Sequence, residues 1–454
     1  MFKLINIFLL FLNFFIYFCL QNDVLYLPFT KEIPDLSNIS PDDIIYKGLQ
    51  HNKIKTEISI GTEPQIIPMI IDLYHYDFFI AGEKGNNNNS SVVFKQSKST
   101  SFNEFGTIGL YGDRGFTIGY KSSDYFYLNN DIKKKYNISF ILAEDPDNGV
   151  SGMIGLKLKE NDEEEEIIEY NFIRQLKKVD AINSYYFTIK YVNDTFGFLI
   201  IGDLPEKYDI KYENLEYRDT YIVEPDSPSS WNIKFDSIYT KHPNNTEVNN
   251  LGSYTAYFRI DLGVTIGSEE YRKEFLNNFM SEQINDGKCV EKYVSYYYVY
   301  YCNNTVDFSK MKNLYFYNKI LNYSFEFTYK DLFYYNKLDN KYYFLVEFER
   351  NNYNGRWLIG EFFFKKYQLI FNQDIKKIGI YTGNNNNKKA NSKKKNWLKR
   401  NKWYLILIIF LFILLIALAF LTYFIIKNKP SRKKKANELI DDDYEYTINN
   451  EIGK

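Results

Sequence analysis

Cysteine is scarce in this 454-residue chain, with three in all, so a disulfide-dense scaffold is excluded. Histidine is equally scarce, also three, and His51 and His242 do not form a metal set with the cysteines, so no metal and no cofactor are expected. Net charge is −1, which leaves no global field to gather nucleic acid. Helical periodicity is rare: residues 171–179 and 269–280 are the only good stretches. What is abundant is aromatic, 43 Tyr and 38 Phe, and such side chains favour strands. Short alternating or apolar runs punctuated by Gly, Asn and Asp recur at residues 54–60, 66–71, 116–120, 196–201, 231–239, 342–347 and 368–371. This is the pattern of an all-β body.

Two apolar runs stand apart from it. Lys3 is followed by an uncharged run, Leu4 to Leu20, and the expectation is a signal peptide over residues 1–22. Residues 403–426 carry no charge, are bounded by Trp403, Tyr404 and Tyr423, and have Lys and Arg on both flanks; the expectation is one transmembrane helix. The signal peptide would send the ectodomain to the lumen or cell exterior and leave residues 427–454 as a cytosolic tail, a single-pass type I arrangement on the secretory pathway. Residues 383–402 read as a basic, Asn-rich linker. Sequons at Asn38, Asn88, Asn89, Asn137, Asn193, Asn244, Asn303 and Asn322 all precede the span and fit a glycoprotein. Cys19 falls in the signal peptide; Cys289 and Cys302 can pair in an oxidising lumen, clipping a Tyr-rich hairpin at its base.

The ectodomain carries a weak internal repeat. Ile70-Ile71-Asp72-Leu73 and Ile260-Asp261-Leu262-Gly263 each precede, in the same order, an apolar pair before glycine: Met153-Ile154-Gly155 and Leu358-Ile359-Gly360. Around them, Ile60-Gly61-Thr62-Glu63-Pro64-Gln65, Tyr111-Gly112-Asp113-Arg114-Gly115, Gly152 to Leu156, Gly197 to Gly202, Ser230 to Ile233 and Trp357 to Ile380 together resemble the pepsin family of aspartic peptidases. The resemblance runs from about Tyr46 to Tyr381. It implies a bilobal pepsin-like fold, with an N-terminal lobe at 46–205 after a short pre-segment at 23–45, and a C-terminal lobe at 206–382. It also implies that Asp72 and Asp261 are the catalytic pair, and that Tyr111 and Gly112 belong to the substrate-covering flap.

The loops depart from the family's Asp-Thr-Gly-Ser and Asp-Thr-Gly-Thr. They read Asp72-Leu73-Tyr74-His75 and Asp261-Leu262-Gly263-Val264. The lost hydroxyls cost each carboxylate a hydrogen-bond donor, worth about 1–3 kcal/mol where the group is buried. Leu73 and Leu262 are expected to pack on each other where threonines would cross-link the lobes. Residues 23–45 hold one lysine, Lys31, so control by a basic propeptide looks weak. The resulting expectation is a monomeric, membrane-anchored homologue, catalytically impaired, that binds a peptide or protein in its interlobe cleft. The alternative is an active endopeptidase using the Asp72/Asp261 dyad.

Overall fold

The computed structural model describes residues 24–32, 34–83, 92–112, 115–144, 150–158, 170–213, 215–223, 230–242, 248–350 and 355–384. All belong to one compact unit, Met1–Asn384; the second unit, Asn385–Lys454, lies outside the described residues together with the expected signal peptide. Among the described residues no helix is long and apolar enough to cross a membrane; the expected span at 403–426 is not among them.

The aromatic and β-branched runs form two large sheets, one of thirteen and one of eleven strands. The first is not confined to the N-terminal half. Leu215–Tyr221, Ile370–Asn372 and Lys377–Asn384, from the C-terminal half, join it beside Tyr186–Tyr191. Leu25–Lys31, expected to lie before the body, is also a full member, paired antiparallel with both Phe196–Ile201 and Ile54–Ile60. The expected run at 342–347 is divided between two strands, Lys341–Phe344 and Val346–Glu349. The helical stretches form as Phe172–Lys178, capped by the Asn171 side chain, and as Glu269–Phe275 continuing into a wider turn, Leu276–Met280. Cys289 and Cys302 are directly opposed at the base of their hairpin and form a disulfide.

The repeat is present as topology. In the first half, Gln65–Asp72 runs parallel to Gly152–Gly155, which pairs antiparallel with Phe78–Ala81, which runs parallel to Lys135–Ala143. In the second half, Val248–Phe258 runs parallel to Arg356–Ile359, which pairs antiparallel with Thr265–Ser268, which runs parallel to Val346–Glu349. In each half the chain crosses over itself at the glycine that ends the apolar pair. A Cβ on Gly155 would stand 2.5 Å from the Asp77 carbonyl oxygen, and one on Gly360 would stand 2.0 Å from that of Val264. No side chain fits at either crossing.

The stretch after Leu25–Lys31 ties the halves together. Leu36, Ile44 and Ile45 pack with Leu262, Val264, Ile266, Val299 and Tyr343 of the second half. The chain then passes along the Asp261 loop: Gly263 N–H donates to the Gln50 carbonyl at 2.9 Å, and Asn52 N–H donates to the Asp261 carbonyl at 2.7 Å. It returns to the first sheet as Ile54–Ile60.

Candidate active site

Asp72 ends its strand directly opposite Gly155. In the second half the register runs Tyr257 opposite Leu358 and Phe258 opposite Ile359, so the residue that faces Gly360 is Arg259, whose N–H donates to the Ile359 carbonyl at 2.9 Å. Two further markers agree. Phe79 opposite Met153 and Ile266 opposite Leu358 hold matching places, and the same count back along the chain reaches Asp72 and Arg259. Asp77 and Val264, which touch the two glycines, also lie equally far beyond Asp72 and Arg259. By strand register the position level with Asp72 is thus Arg259, two residues before the expected Asp261. The loops then part: the N–H after the first glycine, that of Leu156, donates to the Asp72 carbonyl, and the N–H after the second, that of Glu361, donates to the Leu262 carbonyl.

Burial follows the same matching. Along 255–260 the half-buried Thr255, Tyr257 and Arg259 alternate with the buried Ala256, Phe258 and Ile260. Leu73 and Ile260, matched positions, are both buried in the main apolar core. Leu262 is not beside Leu73 in that core; it joins the separate cluster around Ile44 and Ile45. By register, then, the apolar residue matched to Leu73 is Ile260 rather than Leu262. Gly263 is retained for a different reason from the one the family pattern suggests: a Cβ there would lie 2.0 Å from the Leu49 carbonyl oxygen.

Each acid has its own nitrogen-bearing partner. The Asp72 carboxylate accepts hydrogen bonds from the backbone N–H of Tyr74 and from that of His75 at 3.1 Å, and His75 Nδ1 lies 3.0 Å from its second oxygen. Burial pushes the Asp72 pKa up, but the His75 hydrogen bond and charge, with the two backbone donors, outweigh it and hold the group below the ordinary carboxylate value. Asp261 is held in a two-point fork by Arg259, at 2.7 Å from Nε and 2.5 Å from Nη2. Burial lowers the Arg259 pKa; Asp261, then Asp72 and Tyr74, raise it to a net upward shift. The Arg259 guanidinium lies 4.2 Å from the centroid of the Tyr74 ring, which is 47% exposed and so projects from its loop.

An aspartic dyad works because two like charges at short range share one proton, one carboxylate accepting a proton from water while the other donates to the peptide carbonyl. Here the position matched to Asp72 by strand register holds a guanidinium, which cannot exchange a proton at any working pH. Its forked donors are occupied by Asp261. A cleft of about 540 Å³ opens beside it, lined among others by Leu73, Tyr74, Trp231, Tyr257, Arg259 and Arg356.

The remaining expected residues are placed as follows. Tyr111 and Gly112 end the strand Asn103–Gly112 and pair with Phe116 and Gly115 in a hairpin, whose tip at Asp113 and Arg114 lies outside the described residues. Lys31 pairs with buried Glu361, the residue after Gly360, rather than with either site aspartate. Arg259, Gln50, Asn52 and Glu347 were not singled out from sequence. The alternation of buried and half-buried positions through Phe258-Arg259-Ile260 was the signal that could have found the first.

A family model described as eukaryotic aspartyl protease matches residues 54–382. Comparison with curated proteins finds no match.

Proposed function

This chain belongs to the eukaryotic aspartyl protease family, and on that premise we propose that it is a catalytically silent member, anchored in a membrane of the secretory route, that binds a peptide or protein segment in its interlobe cleft. One observation carries the reading: the strand register, taken one step past Phe258 and Ile359, brings Arg259 rather than a second acid level with Gly360. With one carboxylate and one guanidinium at the paired positions, no proton is shared and no neutral acid is present to polarise a scissile carbonyl. Membrane anchoring is supported by the uncharged stretch at 403–426 and the apolar N-terminus.

The test uses the purified full-length chain in detergent with a mixed peptide library across about pH 3–7, the range in which such dyads work. The expected result is peptide binding without cleavage. Cleavage that is abolished by both Asp72→Asn and Asp261→Asn would replace this reading with that of an active endopeptidase.

A further inference from the structure

We propose that Asn193 and Asn303 are the sites of N-linked glycosylation that this fold favours, each carrying an oligosaccharide on its side-chain nitrogen. The inference rests on the secretory-route reading above and goes beyond it, since it selects two positions among the sequons.

Five sequon asparagines are among the described residues, Asn38, Asn137, Asn193, Asn303 and Asn322, and all five are exposed. The fold buries asparagine elsewhere, at Asn52, Asn171 and Asn232 among others, and no buried asparagine is followed two residues later by Ser or Thr. Each described sequon therefore has room for a sugar.

Two of the five have more than room. Asn193 Oδ1 accepts hydrogen bonds from the Thr195 N–H at 2.9 Å and from Thr195 Oγ1 at 3.3 Å. Asn303 Oδ1 accepts from the Thr305 N–H at 3.0 Å and from Thr305 Oγ1 at 2.5 Å. Asn38, Asn137 and Asn322 make no such contact with Ser40, Ser139 and Ser324; the Ser324 hydroxyl is engaged by Tyr239 instead. Donors on the amide oxygen polarise the amide and make a proton on Nδ2 easier to lose. These bonds span only two residues, so a nascent chain makes them before any sheet forms. In the folded chain neither Nδ2 donates to a described group, so a sugar there breaks no hydrogen bond. Asn193 lies in the turn between Tyr186–Tyr191 and Phe196–Ile201, and Asn303 ends its strand one residue past the disulfide. Neither lines the cleft.

The sugar donor is, by class, a lipid-linked oligosaccharyl diphosphate, used by a luminal transferase. Asn Nδ2 forms a bond to the anomeric carbon, and the bond from that carbon to the diphosphate oxygen breaks. The lipid diphosphate leaves with the electron pair, and one amide proton passes to a base. Nothing is oxidised or reduced.

The experiment translates the full-length chain with microsomes, adds protease outside them, and treats the protected chain with a peptide N-glycosidase in heavy-oxygen water. That treatment turns each glycosylated asparagine into a labelled aspartate, which peptide mass spectrometry locates. The expected result is label at Asn193 and at Asn303. Thr195→Ala removes the first label and Thr305→Ala the second, while Thr305→Ser, which keeps a hydroxyl, retains it. A protected chain unlabelled at either position, or label that survives loss of the hydroxyl, overturns this inference and leaves the secretory-route reading standing. A chain that the microsomes do not protect overturns both.

Discussion

Arg259 and Asp72 stand at the ends of two equivalent strand pairs, Asp72 opposite Gly155 and Arg259 one step past Phe258, which lies opposite Ile359. A base thus ends one strand where an acid ends the other. The neighbouring Asp261 then serves as the counter-ion of Arg259.

Replacing Arg259 with Leu leaves Asp261 without its fork and Tyr74 without its cation. Both charged side chains are about a quarter exposed, 24% and 29%, so solvent makes up part of the loss. The expected destabilisation is about 1–2 kcal/mol at neutral pH. Chemical denaturation of the two forms measures it.

The Asp72–His75 pair sets an acid limit. The folded pKa of Asp72 is depressed, so its contribution is present above the ordinary carboxylate value of 3.8 and is lost as pH falls through the folded value. In His75→Ala, burial acts with less opposition and the pKa rises. The midpoint of acid unfolding, followed by tyrosine fluorescence, is therefore expected at higher pH in the variant.

Glu347 acts in the opposite sense. It is buried, accepts a hydrogen bond from Gln50 Nε2 at 2.6 Å, and has a pKa pushed up to about 8, first by burial and further by Glu349, with Gln50 opposing. A raised pKa on an acid means the folded state keeps its proton while the unfolded chain releases it. Its contribution is fully present below pH 4.5, the ordinary value, and declines until about 8. Glu347→Gln should flatten that decline, by up to roughly 4 kcal/mol at alkaline pH, in thermal melts recorded as a function of pH.

Gly263→Ala forces a methyl group onto the Leu49 carbonyl. The backbone must shift, at about 1–3 kcal/mol or more, and the stretch around Gln50 should loosen first. Hydrogen exchange at Asn52 N–H, which donates to Asp261, reports that loosening directly.

Cys289→Ser opens a hairpin closed over a separation of 13 residues. The expected loss is about 3 kcal/mol, read from denaturant midpoints under oxidising conditions and absent when both forms are reduced.

Much of the fold was legible from sequence because strand periodicity, the two apolar-apolar-Gly marks and the helix at Phe172–Lys178 each rest on local chemistry. The disulfide was legible for the same reason, since two cysteines allow one pairing. The second half of the site was not. Asp261-Leu262-Gly263 spells the family motif closely enough to set the alignment, yet the strand register, fixed by contacts nearly a hundred residues away, places Arg259 at that point. The role of residues 34–52 was hidden likewise, because nothing local in Gln50 or Asn52 shows that they will brace the Asp261 loop.

Gly155 and Gly360 admit a carbonyl oxygen where any side chain would collide. That steric demand concerns outline alone and is indifferent to the functional group at the tip of the adjoining strand. A change at one tip therefore leaves the other undisturbed, and the outline of the crossing is set independently of the groups at its ends.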